Sequence, residues 1–281
     1  MLACSEVVLF GEVHDNPIHH AIRAAFLGTK WGFGKWPPDC PGLKSGKSSL
    51  IFEQFRTDKQ PALDAFADLR TKSPEQATLP EFKRLTDWEK SGWQQYNYDP
   101  LLQAALDAKL PLYAGDVPRA SMMKVAKEGE GALPADERAR LKLDVPLGPK
   151  LDDASLTELV ESHCNTMPKE AMGGMAYAQR YRDATLADNV LKAAGKHGSA
   201  ILIAGNGHVR TDRGVPWYIR QRAPDKKVVS VMLIEVEDGK TDPEAYVPRD
   251  PDGKPAADYI IFTPRAERED PCEKMRAGRG K

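Results

Sequence analysis

Histidine is scarce in this sequence, with six residues in 281. Its four cysteines (Cys4, Cys40, Cys164 and Cys272) are far apart and form no CxxC pair, which excludes a zinc-knuckle reading. One disulfide is possible, with Cys40–Cys272 a candidate pairing, but spacing alone does not decide it. No apolar run approaches the ~20 residues of a membrane helix. Positive charge is not in excess: 40 Lys and Arg stand against 41 Asp and Glu, for a net charge of −1. That removes the electrostatic case for nucleic acid. There is no GxSxG elbow and no HExxH helix. The segment Gly42-Leu-Lys-Ser-Gly46-Lys47-Ser48 resembles a phosphate loop, but it is one residue short and precedes a strand instead of following one.

What is present is ordinary for a globular chain: 41% hydrophobic and 29% charged residues, and length enough for one large α/β domain or two smaller ones. Three of the six histidines gather in one stretch, Val7 to His20 (VVLFGEVHDNPIHH). An apolar run of strand length stops at Gly11 and turns polar at Glu12, His14, Asp15 and Asn16. Pro17 then opens a helix capped by Asp15 or Asn16, with His19 and His20 on its first turn. In open α/β sheets, ligands bind beyond the carboxyl ends of the strands, which is where this stretch puts its ionisable groups.

Further strands are predicted at Ser49 to Phe55, Pro111 to Ala114, Ser199 to Ile203, within Lys227 to Glu237, and at Asp258 to Phe262 as an edge. Helices broken by Pro74 and Pro80 fill 58–91, an aromatic loop spans Gly92 to Asp99, and an amphipathic helix starts near Pro100. Residues 119–197 are helical, charged and Met-rich. Ser155 and Glu158 suggest a capping box, and Met172, Met175, Ala178, Tyr181 and Arg182 form a stripe read as a helix-packing face. The expected fold is therefore α/β: a mainly parallel sheet flanked by helices (1–118 and 198–265), a smaller inserted helical domain (119–197), and a charged, flexible tail (266–281).

If the strands are parallel neighbours, Glu12 and His14 after the first, Glu53 closing the second and His208 after the fourth share one rim. Two His and two carboxylates there can bind a divalent metal, activate a water or hydrogen-bond a ligand. The alternative is a buried polar network that orders the loops. Asp183 or His163 is expected to approach from the helical region.

The segments GEVHDNPIHH, FEQF, Tyr98-Asp99-Pro100, HCNTMP with AQRYRDATLA, and AGNGHVRTDRGVP occur in this order, and over about residues 6 to 235 the chain resembles the ChaN-like family of iron-regulated haem-binding lipoproteins, also called the cofactor haem-binding domain. The resemblance implies ferric haem bound at a shared surface, often in a homodimer, with a Tyr on the iron and a basic residue near the propionates. In the matching segments the Tyr candidates are Tyr98, Tyr96, Tyr177 and Tyr181, with Tyr98 preferred. His19, His20 and Arg210 would meet the propionates, with His14 and His208 also in the cofactor site. The family also implies the bacterial cell envelope, lipid-anchored or facing the periplasm, and a haem receptor or transporter as partner. Leu2-Ala3-Cys4 resembles the end of a lipoprotein signal, either a trimmed one or a chance likeness. The GExH and GxGH pair is similar to motifs of erythromycin esterase-like and TIKI-like hydrolases. That keeps a second function open, a hydrolase using Glu12, His14, Glu53 and His208, with or without a divalent metal.

Overall fold

The computed structural model describes residues 5–28, 48–270 and 272–273. Cys4, Cys40, the segment 42–47 and the end of the tail lie outside the described residues. Six strands form one sheet: β1 (Val7–Phe10), β2 (Ser49–Arg56), β3 (Leu112–Asp116), β4 (Ala200–Ile203), β5 (Val228–Val236) and β6 (Tyr259–Pro264). Every pairing is parallel, and the order is β3-β2-β4-β1-β5-β6. β1 is a continuous buried run because both faces of a parallel sheet are covered.

Alternate residues of each strand serve different cores, as a period of two requires. Val8, Phe10, Leu50, Phe52, Ile201 and Ile203 face one helical layer. That layer is built from α1 (Pro17–Gly28), α2 (Gln60–Lys72), α3 (Leu79–Leu85) and α4 (Asp99–Asp107). Val7, Leu9, Ile51, Ala200 and Leu202 face the other. There lie α5 (Arg119–Glu128), α6 (Ala135–Leu141), α7 (Pro149–Ser162), α8 (Gly173–His197) and α9 (Val215–Arg222).

Residues 119–197 contain no strand, as expected. They form a layer sharing one core with the sheet: Val125, Leu141, Tyr181 and Val190 pack in the same cluster as Val7 and Leu202. Ala178 and Tyr181 of the Met-rich stripe are buried there, and Met172 is buried as well. Ser155 is not a cap. α7 begins six residues earlier, after Gly148, because Pro149 supplies a helix-ready first position. Pro80 likewise starts α3, with Thr78 accepting the Glu81 N–H.

The described part of the tail makes several contacts. Ala266 N–H donates to Glu235, Arg268 pairs with Glu235 and Asp15, and Cys272 is disulfide-bonded to Cys164. The described part of the tail is thus anchored to β5 and to the end of α7, and the partner of Cys272 is Cys164, not Cys40. Those two cysteines lie 108 residues apart, and spacing does not reveal that they meet. No described helix is long and apolar enough to cross a membrane.

Candidate functional site

The carboxyl ends of β1, β2, β3 and β4 place Glu12, Glu53, Asp116 and Gly205 to His208 along one rim. β1 and β4 are neighbours at the point where the strand order reverses, the usual crevice of such sheets. Four predicted residues meet there. Glu12 and His14, two apart on extended chain, bond at 2.8 Å through His14 Nδ1. Glu53 lies 3.9 Å from His14 Nε2 and 3.2 Å from His208 Nε2.

Two linked clusters make up the rim. In the first, Glu12 is completely buried and accepts the Tyr98 hydroxyl at 2.5 Å and the Gln54 amide at 3.1 Å. Its other oxygen pairs with Arg23 from α1. Arg23 is itself buried, and desolvation brings its guanidinium down to about 10. Ion pairing of this kind is what permits two charges so deep in a core. His20 sits between the carbonyl oxygens of Asn97 (2.7 Å) and His14 (3.0 Å) and stacks on the Tyr98 ring.

In the second cluster, Glu53 accepts from Arg182 at 2.7 Å and from the Gly205 N–H at 2.7 Å. Arg182 also bridges to Asp116 at 2.8 Å. His208 Nδ1 lies 2.6 Å from Asp183, so the imidazole is flanked by carboxylates on both nitrogens. Burial opposes its charge, but Glu53 and Asp183 outweigh that and raise the imidazole to about 10. Glu53 is pushed up by burial yet held well below the usual carboxylate range by His208, His14 and Arg182. His208 is therefore held as an imidazolium at neutral pH.

His14 differs. Burial is the main influence and lowers its pKa against the pull of Glu53, which leaves a neutral ring at pH 7. Its side chain is 33% exposed and packs edge-on to Trp93 at 4.8 Å. Gly205 is tightly constrained here: a Cβ on it would lie 2.7 Å from His14 Nε2.

Several predicted contacts are not available to a ligand. Tyr98 is 0% exposed, its hydroxyl is committed to Glu12 and Gln54, and burial raises its pKa further, so in this structure it supports the rim and presents no phenolate to an iron. His19 is also fully buried: Nδ1 accepts the Val13 N–H, Nε2 meets Thr263, and desolvation lowers it to about 4. His20 is walled in by Asn97 and Tyr98. Neither histidine can reach a propionate, because the first turn of α1 points into the sheet. Arg210 is paired with Asp212 at 2.7 Å and bonded to the Arg249 carbonyl. Asp183 reaches the rim as expected, while His163 bonds only within the end of α7, to Leu159 and Ser162.

Arg23, Gln54, Trp93, Asp116 and Arg182 were not assigned to the site from sequence. Asp116 carried a usable signal, since it closes β3; Glu53, expected to close the second strand, lies inside β2, which runs on to Arg56. Arg182 lay in the packing stripe, one residue before Asp183.

A family model described as haem-binding uptake, Tiki superfamily, ChaN, matches residues 1–219. Among solved structures the chain is similar to ChaN of Campylobacter jejuni, described by cofacial haem binding, with a TM-score of 0.62 at 18% identity over 86% of this chain and 85% of that one. A Bacillus cereus protein (TM-score 0.37, 14% identity, 96% of this chain and 73% of that one) and an erythromycin esterase in its open conformation (0.37, 12%, 96% and 79%) are more distant. No curated protein sequence matches the chain.

Proposed function

We propose, from the premise that this chain belongs to the ChaN family of haem-binding uptake proteins in the Tiki superfamily, that it binds ferric haem at the mouth of the rim, against the aromatic loop. The observation that carries this placement is the half-buried pair Trp93 and Tyr96, beside His14, on an otherwise closed polar rim. Haem offers a flat apolar ring, which aromatic faces accept, and an iron that takes an axial donor. Of the four candidate tyrosines, Tyr98 is engaged, Tyr181 is buried and Tyr177 faces a small cavity between α7 and α8, not the aromatic loop. The Tyr96 hydroxyl makes no hydrogen bond among the described residues, so Tyr96 is the proposed axial donor in place of Tyr98. An anionic phenolate suits ferric over ferrous iron.

Membership of this family supports a homodimer with haem at a shared surface. The Cys164–Cys272 disulfide supports an oxidising compartment, in keeping with an envelope location and a haem receptor or transporter as partner. The test is an absorption titration with hemin. Tyr96→Phe should lose the tyrosinate-type ferric spectrum, while Tyr98→Phe keeps it. The ligand assignment fails if only Tyr98→Phe loses the spectrum, and the haem reading fails if the wild-type chain shows no saturable binding.

One observation favours a second reading. A neutral His14 whose Nδ1 is held by Glu12 has the histidine–carboxylate arrangement of a general base. Under that reading the chain hydrolyses an ester or peptide with His14 as base, Glu53 beside it, and His208 supplying positive charge. His14→Ala should then abolish turnover of an activated ester, and absence of wild-type turnover rejects it.

A further inference from the structure

Between α7 and α8 lie two adjoining cavities of about 210 and 190 Å³. Both are walled by Leu147, Ser155, Ala176 and Arg180, so they form one slot in two compartments. The first reaches inward to Asp183 and Gly207, beside His208 of the rim. α7 roofs the slot yet buries none of its own side chains completely.

Charge pairing in the slot is uneven. Arg210 and Arg213 are neutralised by Asp212 at 2.7 and 2.8 Å, and Arg213 also by Glu158. Asp183 is turned to His208. Arg180, common to both compartments, bonds only neutral acceptors: the Tyr218 hydroxyl at 3.0 Å and the Val145 carbonyl at 2.6 Å. No carboxylate among the described residues pairs with it. One helical turn earlier, on the same face of α8, Tyr177 walls the second compartment, and its buried hydroxyl has no hydrogen-bond partner among the described residues. Among the described residues Arg180 has no ion-pair partner, although Asp152 also lines the second compartment, and the Tyr177 phenol has no partner; on one wall the two suit an anionic acceptor such as a carboxylate, which accepts from both.

We propose that the α7–α8 slot is a carboxylate-binding site, with Arg180 as the counter-charge and Tyr177 as the second donor. Each compartment falls below the ~300–1,000 Å³ of ordinary small-molecule pockets, so the slot takes a carboxylate arm or a short acid and not a macrocycle. Two sources supply that chemistry: a propionate arm of haem, which rests on the haem-binding reading above, or a free short-chain acid, which does not.

The full chain is titrated with hemin, with hemin dimethyl ester, which has no free carboxylate, and with sodium propionate. The last is followed by amide shifts of residues 173–182. Losing a charge-assisted hydrogen bond weakens binding by about ten-fold or more. If the haem arm is the occupant, wild type binds hemin more tightly than its dimethyl ester by that factor, and Arg180→Gln erases the difference while leaving the ester's affinity unchanged. If a free acid is the occupant, hemin and ester bind alike, or neither binds, while propionate shifts the α8 amides in wild type and not in Arg180→Gln. Because Arg180 also supports Tyr218 and Val145, Tyr177→Phe serves as the independent variant: it keeps the ring and should weaken the same carboxylate several-fold. Hemin and ester binding alike with no propionate response, or indifference to both substitutions, overturns the proposal. Failure of hemin to bind at all, with a propionate response intact, rejects the haem reading and leaves the slot.

Discussion

His208 shows how far a fold can move one titration. Its imidazolium is held between Glu53 and Asp183, which raises it from about 6.5 to about 10. A group whose folded pKa lies above its unfolded one stabilises the fold fully below the unfolded value, and that contribution is lost as pH rises through the folded value. Stability should therefore fall between pH 6.5 and 10, by up to about 1.4 kcal/mol per pH unit from this group. Urea midpoints of wild type and His208→Gln at pH 7 and 9.5 test this. The variant should be less stable at pH 7 and lose less on going to 9.5, and parallel losses would sink the assignment. His14 shows the opposite behaviour 3.9 Å from the same Glu53, because its burial outweighs the pull of Glu53 and the positive charges of His208 and Arg182 act in the same direction as burial.

At the scale of elements, α8 joins the sheet, the helical layer and the rim. Toward the far end from the rim, buried Asp188 pairs with Arg140 of α6, Arg222 of α9 and Lys192, at 2.6, 2.6 and 2.8 Å. Burial raises this carboxyl, but those cations outweigh it and hold it near about 2. At the other end α8 crosses α5 so closely that a Cβ on Gly174 would lie 2.0 Å from the Ala126 carbonyl oxygen. Backbone cannot give way as a flexible side chain can, so Gly174→Ala should push α5 off and cost about 1–3 kcal/mol. Gly173→Ala, with nothing within 4 Å of the added Cβ, is the control and should change stability by less than about 1 kcal/mol. Equal effects of the two substitutions in thermal melts would show that the crossing is looser than described.

At the scale of the whole molecule, the Cys164–Cys272 disulfide closes a loop with a sequence separation of 108, tying the last described residues to the end of α7. A loop that long carries close to 5 kcal/mol in the chain-entropy account, and native disulfides typically deliver about 2–4. Reduction, or Cys164→Ser, should lower the unfolding free energy by that amount and free the tail. An unchanged denaturation midpoint under reducing conditions would show that the cross-link constrains nothing. The tail's other anchors, Arg268 on Asp15 and Glu235, fasten it beside α1 at the edge where β6 lies.

The rim itself was legible in the sequence because it follows from local rules: an apolar run of strand length, a stop at Gly with Glu12, His14 and His208 placed just after it, and in the second strand an apolar run that meets Glu53 directly. Parallel strands leave their carboxyl ends on one side, so the chain's own order brought these residues together. The absence of a strand in 119–197 followed from composition in the same way. What the sequence could not determine was which polar residues would be spent on one another. Tyr98, His19 and His20 have the chemistry of ligands, but the packing of α1 and the aromatic loop turns them inward, and a buried polar group must find its partners there. Whether the helical region is a separate body or a layer was likewise decided by side chains distant in sequence sharing one core. So was the pairing of Cys164 with Cys272, because closing a loop that long depends on where the whole fold carries its ends and on no local preference.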